Sequence, residues 1–195
     1  MSVYFKSTIE NHLAIAVTEL SHADEIFELL YNDQENIGQF LGFVALTKTK
    51  EDEVDYIKKK MHGIADGTDA FFSIIRDNNI VVGIIDLHCI DSKNKKAEIG
   101  YWIQSKFKNR GIMTKSVRKV CEYAFENSGL NKLSLFADVK NIGSNAVARH
   151  ARFSYLATHQ DYYVHRGQFR DMNEYYLLKR DFWNIRIKHE NSIID

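Results

Sequence analysis

From His12 to Leu20 apolar residues alternate closely enough for a strand, and Ser21 with Asp24 then opens a helix whose apolar side is Ile26, Phe27, Leu29 and Leu30. An irregular, aromatic-tipped piece ends in Gln39-Phe40-Leu41-Gly42-Phe43, after which Thr49 caps a second helix carrying Val54, Ile57, Met61 and Ile64. Asp66-Gly67 stops it. The period then becomes two: Ala70 to Asp77, a turn at Asn78-Asn79, Ile80 to Ile90, a polar turn from Ser92 to Lys95, and Ala97 to Ile103. From Gly111 to Asn127 it is helical again, with Val117, Val120, Cys121, Ala124 and Phe125 on one stripe and Gly129 as the stop. Leu133 to Val139 alternates and closes a strand–helix–strand crossover. A short helix from about Ser144 to Ala151 follows, then two aromatic strands, Tyr155 to Val164 and Phe169 to Leu178, around His165-Arg166-Gly167. The charged end, Lys188 to Glu190, is expected to fray. These elements sum to an α+β fold: a mostly antiparallel sheet with one parallel pair and helices on both faces.

Composition narrows the picture. A chain of 195 residues, 45% hydrophobic and 27% charged, suits one globular domain over 1–195 and argues against disorder. Lys plus Arg equals Asp plus Glu at 26 each, so no global field recruits nucleic acid and any anion site is a local cluster. Cys89 and Cys121 are too few for a secreted disulfide scaffold; reduced thiols in a cytoplasm are the simpler reading, although counting leaves one bridge open. Met1 to Glu10 lacks the halves of a signal peptide, and no stretch approaches the roughly 18 apolar residues of a membrane span. The absence of proline removes only a slow prolyl folding step.

Chemistry concentrates in two places. The strand from Ala97 to Ile103 runs through a basic turn into Asn109-Arg110-Gly111-Ile112-Met113-Thr114 and a helix, with Lys106, Lys108, Arg110, Lys115 and Arg118 nearby. Strand, glycine turn and helix N-terminus make a nest of backbone N–H groups that suits a pyrophosphate, although a lone glycine there more often just makes a turn. The second place is Asp138 to Arg149, where another strand end feeds polar residues into another helix start. Paired helix starts after neighbouring strands are where open sheets hold ligands. His88 and His150 have no metal-ligand spacing and read as structural, Cys89 and Cys121 as core, and Lys58-Lys59-Lys60 as a solvated helix face.

The blocks Ala97 to Ile103, Phe107 to Thr114 and Asn141 to Phe153 resemble the acetyl-CoA-binding motifs of GNAT acetyltransferases, and Ser144 to Arg149 is similar to the ribosomal-protein N-terminal-serine (RimL-like) branch. The resemblance runs from about residue 10 to residue 180. It implies a sheet splayed at its centre, with pantetheine bonded to backbone at Trp102 and Ile103 and pyrophosphate on Lys108, Asn109, Arg110, Gly111, Ile112, Met113 and Thr114. It also implies pantetheine contacts from Asn141 and Asn145, protonation of the departing thiolate by Ser144, and Glu98 as general base. Helix capping is the plainer reading of Asn141, Ser144 and Asn145, and a solvated strand carboxylate that of Glu98.

Acetyl-CoA would be the cosubstrate, no metal is needed, and the acceptor would be a protein N-terminus or a small amine. Its cleft is expected between the irregular piece, with Gln34 and Phe40, and the final hairpin, with Tyr163. The chain departs from its branch there: Tyr163 stands where the branch carries a glutamate, and Asp161 would share its strand face as a substitute. Met113 replaces a usual Gly or Ala, and Arg152 a usual Gly, which implies altered packing. A coenzyme A-binding module without turnover stays open. A nucleotide site is weaker, because the glycine turn lacks the Lys-Ser ending of a P-loop. The resemblance implies a cytoplasmic protein and is compatible with a homodimer.

Overall fold

A computed structural model describes residues 6–77 and 80–184. The turn at Asn78-Asn79 and the charged end from Lys188 to Glu190 lie outside them.

A hairpin of β1 (Lys6–Glu10) and β2 (Leu13–Val17) comes first among the described residues. Sequence pattern missed β1, an edge strand with a single aliphatic residue, Ile9, among polar neighbours. Helices α1 (Ala23–Asn32), α2 (Gln34–Ile37) and α3 (Lys50–Ala65) follow. Then come β3 (Ala70–Arg76), β4 (Ile80–Asp91), β5 (Lys96–Ile103), α4 (Ile112–Glu126) and β6 (Lys132–Asp138). Helix α5 (Ile142–His150) and the hairpin of β7 (Ser154–His165) and β8 (Gln168–Leu178) follow, and the chain is helical over 179–184, where Phe182 packs on the core. The eight strands lie in the order β1-β2-β3-β4-β5-β6-β8-β7, with only β5 and β6 parallel.

Helices cover both faces, as expected. On one face α4 buries all five residues of its predicted stripe against Ile15, Phe72, Ile74, Ile85, Leu87, Leu133 and Leu135. On the other, α1 and α3 pack on Ala14, Ala16, Phe71, Ile75, Ile84 and Trp102. Thr49 caps α3 as read, its hydroxyl accepting from the Asp52 N–H while the Asp52 carboxylate accepts from the Thr49 N–H. The inner stripe of α3 differs from expectation. Met61 and Ile64 are exposed, whereas Glu53 and Ile57 are buried and Lys60 is nearly so. The helix covers a polar pocket, so a hydrophobic count misplaces its inner side.

The sheet parts at its centre. Strands β5 and β6 pair only at Lys96–Lys132, Ala97–Leu133 and Glu98–Ser134. Beyond Glu98, β5 stays with β4 as far as Ile103–Gly83, while β6 follows β8 as far as Asp138–Met172. Close approach on the β4 side needs glycine: a Cβ on Gly83 would overlap the Trp102 carbonyl oxygen.

Candidate active site

Beyond the parting, half of the backbone groups of β5 lack a strand partner. The Gln104 N–H donates to the Val82 carbonyl, and antiparallel alternation from that bond turns Trp102 and Gly100 toward β4. Tyr101 and Ile103 therefore direct their N–H and C=O groups into the gap. Of the two residues expected to offer backbone here, Ile103 does so; Trp102 is paired with β4, and Tyr101 takes its place.

At the mouth of the gap, Asn109 and Gly111 both have left-handed backbone, with φ of 60° and 71°. Gly111 is the N-cap of α4 and no side chain caps the helix; its first bond runs from the Lys115 N–H to the Gly111 carbonyl. The amides before it, through Thr114, are open to an anion. Lys108, Asn109, Arg110 and Gly111 are exposed, and a Cβ on Gly111 would meet only the Lys115 side chain, at 3.9 Å. Ile112 and Met113 turn their side chains into the core, so they can offer amides but not side chains. Two of the five expected cations are engaged: Lys115 pairs with Glu10 at 2.7 Å, and Arg118 donates to the His150 carbonyl. Lys106 and Arg110 lie over the Phe107 ring, which holds them with Lys108 around the turn.

Across the gap, Asn141 caps α5 by accepting from the Ser144 N–H at 3.0 Å. The Ser144 hydroxyl lies 2.9 Å from the Tyr101 hydroxyl. Burial holds the Tyr101 phenol above its ordinary pKa, so it keeps its proton. Tyr101 as a hydroxyl partner was not legible in sequence, where it is one aromatic among strand residues. Asn145 differs from expectation. Its Nδ2 donates to the carbonyls of Asp138 and Asn141, and its Oδ1 accepts from Asn173 and from Tyr175, both at 2.8 Å. With that capacity used, the buried amide pins α5 to β6 and β8.

On the α1/α3 face, beside Gly100, Tyr101 and Trp102, lies a cavity of ≈ 260 Å³. Leu30, Leu41, Phe43, Tyr56 and Phe71 supply its apolar wall, and Glu53, Lys60, Asp86 and His88 its polar one. The polar residues form a chain. Lys60 Nζ donates to Asp69 at 2.6 Å and to Asp86 at 2.7 Å; Asp86 is 3.4 Å from His88 Nδ1, and His88 Nε2 is 3.5 Å from Glu98. Contact with Asp86 raises the His88 pKa against its burial. Glu98, half-buried, is the last residue of β5 still paired with β6, and so stands where gap and chain meet.

Burial pushes the Glu53 carboxyl up to about 7. Unfolded, it ionises near its ordinary value of 4.5, so folding above that pH takes up a proton. The resulting penalty grows between the two values and is complete above about pH 7. Glu53→Gln is therefore expected to raise stability at pH 8 by up to about 3 kcal/mol and to make no difference below about pH 4. Urea melts at the two pH values check this.

The expected acceptor residues are only partly assembled. Tyr163 donates to Asp138 at 2.7 Å, Arg170 pairs with the same carboxylate oxygen at 2.8 Å, and the Arg170 guanidinium lies over the Phe40 ring. Burial would raise the Asp138 pKa, but hydrogen bonds from Tyr163, Lys140 and Arg170 hold it below the usual carboxylate range. Burial and Asp138 push Tyr163 up to about 12, so it stays neutral. Gln34 does not join this group; it is exposed on α2, and Leu41 and Phe43 line the cavity instead. Asp161 does not simply share the strand face of Tyr163. A bulge opposes 160–162 to Asp171, Asp161 is left-handed at φ 49°, and its N–H is tied to the Asp171 carboxylate.

A sheet parted at its centre, an uncapped helix start at the mouth of the parting and a polar-walled pocket behind it suit an acyltransferase fed by a coenzyme A thioester. Residues 12–154 match the family model of the acetyltransferase (GNAT) domain. The chain belongs to the GNAT acetyltransferase family and uses acetyl-CoA as cosubstrate. It is 31% identical to YdaF of Bacillus subtilis (strain 168), named as a ribosomal N-acetyltransferase, over 91% of this chain and 97% of that one. It is 24% identical to the ribosomal-protein-serine acetyltransferase of Escherichia coli (strain K12), over 68% and 73% of the two chains. The solved structure of the RimL ribosomal L7/L12 alpha-N-protein acetyltransferase with coenzyme A shares the fold, with a TM-score of 0.85 at 21% identity over 89% of this chain and 97% of that one. Among the described residues no helix is long and apolar enough to cross a membrane.

Proposed function

We propose that this chain acetylates the N-terminal amine of a ribosomal or other protein. The observation that carries the reading is the parting of β5 from β6 at Glu98, which sets unpaired backbone beside a carboxylate and a pocket. In this reading the pantetheine arm lies along β5 on the backbone of Tyr101 and Ile103, and the pyrophosphate rests on the turn from Lys108 to Thr114. Asn141 shapes the far wall. A thioester is already activated, so the protein need only align a neutral amine, hold the oxyanion on backbone N–H groups and assist the leaving sulfur.

Glu98 takes the proton of the ammonium acceptor, and the freed nitrogen attacks the carbonyl carbon. The C–S bond then breaks, Ser144, backed by the Tyr101 hydroxyl, passes a proton to the departing thiolate, and the second proton lost by the attacking nitrogen restores the hydroxyl pair through solvent. Asp161, exposed on its bulge, is the lesser candidate for the base. An α-amine titrates near roughly 8, against about 10.4 for lysine, so it asks less of a carboxylate base. In this reading the reaction runs in the cytoplasm, where such an acceptor and cosubstrate meet. The enclosed cavity, with Asp86 and Glu53 in its polar wall, favours a second reading, in which the acceptor is a small amine.

Incubation with acetyl-CoA and either N-terminal peptides or small polyamines separates the two, with released thiol as the signal. No release with any amine would sink both. Each hydroxyl can stand in for the other, so Ser144→Ala or Tyr101→Phe alone is expected to cost little. Together they should lower kcat by about a hundredfold, with the KM for acetyl-CoA unchanged.

A further inference from the structure

Cys89, read from sequence as core, is exposed. The reason is a bulge: between His88–Glu98 and Asp91–Lys96, β4 spends one more residue than β5, and Cys89 takes left-handed backbone at φ 51°. Glycine is the usual occupant of such a bulge position, and a side chain held there costs on the order of 1–3 kcal/mol. Neighbouring strand residues normally point to opposite faces. Here the bulge breaks that alternation, and the Cys89 sulfur, a His88 ring nitrogen and a Glu98 carboxylate oxygen all lie within 4.8 Å of one another.

The spacing and the surroundings suit a metal. A tetrahedral site with bonds of about 2.0–2.3 Å has ligand–ligand edges of roughly 3.3–3.7 Å. His88 Nε2 and Glu98 Oε2 stand 3.5 Å apart, long for a hydrogen bond but right for such an edge. The other imidazole nitrogen, buried without a hydrogen bond, faces Asp86 at 3.4 Å, near enough for that carboxylate to orient the ring once it ligates. Thiolate, imidazole and carboxylate together select a borderline-soft divalent ion over calcium or magnesium.

We propose that His88, Cys89 and Glu98 bind a zinc-class divalent cation at the rim of the acceptor cavity. The ion draws Glu98 out of reach of the acceptor amine and so stops acetyl transfer; this second half rests on Glu98 being the base, whereas binding itself does not.

The test uses the full chain, with zinc(II) followed by calorimetry and cobalt(II) by absorption. One zinc per chain is expected, together with a thiolate-to-cobalt charge-transfer band. Cys89→Ser should abolish the band and, like His88→Gln, weaken zinc binding by about tenfold or more, the least that loss of a ligand should cost. Melting curves of both variants confirm that they fold. No saturable binding, or binding undiminished in both folded variants, overturns the site. Zinc is also expected to inhibit thiol release, scored against each protein's own metal-free rate and reversed by chelator. Binding with full activity would uphold the cation site and overturn Glu98 as the base.

Discussion

Glu98→Gln is expected to lower kcat by about a hundredfold to ten-thousandfold, the range over which a positioned base contributes. The substitution keeps the size of the side chain and removes only its ability to take a proton. The β5–β6 pairing that ends at this residue is made by backbone, so the gap and the KM for acetyl-CoA should not change. Steady-state thiol release over a range of acetyl-CoA concentrations checks both numbers. A loss below tenfold would move proton removal elsewhere, with Asp161 the next residue to change.

The largest effect on stability is expected from Lys60→Met. Its ammonium is the cation between Asp69 and Asp86, whose side chains are 19% and 11% exposed. Breaking a buried pair by removing one partner costs about 3–5 kcal/mol, because the carboxylates left behind are still shielded from water. A fall in Tm of about 10 °C follows for a domain of this size. His88 and Lys60 hold Asp86 below its ordinary range despite burial, so that contribution is present at neutral pH and is lost as pH falls through the folded value. The deficit of the variant should therefore shrink in acid. Combining Lys60→Met with Asp69→Asn and Asp86→Asn should restore most of the loss. If the triple variant melts no higher than the single one, packing of the lysine stem is the cause instead.

What could be read from sequence is what local periodicity encodes. The stripe of α4, the Thr49 cap, and the two strand-to-helix turns at Gly111 and Asn141 all came through, because each depends on residues within a few positions. Those turns carried the family resemblance and with it the parted sheet. What failed depends on partners far along the chain. The inner side of α3 was misread because Glu53 and Lys60 face a polar cavity completed by Asp86 of β4. Asn145 looked like a ligand contact until Asn173 and Tyr175, about thirty residues on, arrived to occupy it. Tyr163 brings no carboxylate of its own, yet Asp138 behind it keeps one in that neighbourhood. Cys89 and Asp161 share a cause of error: each sits in a bulge with left-handed backbone and no glycine to announce it.

The ladder between β5 and β6 stops at Glu98. In the proposed reading the cosubstrate takes the place of a missing strand, and its binding adds to the stability of the domain. Melting points of variants can then be ranked only at one fixed acetyl-CoA concentration, because a substitution that merely weakens the guest will masquerade as one that loosens the host.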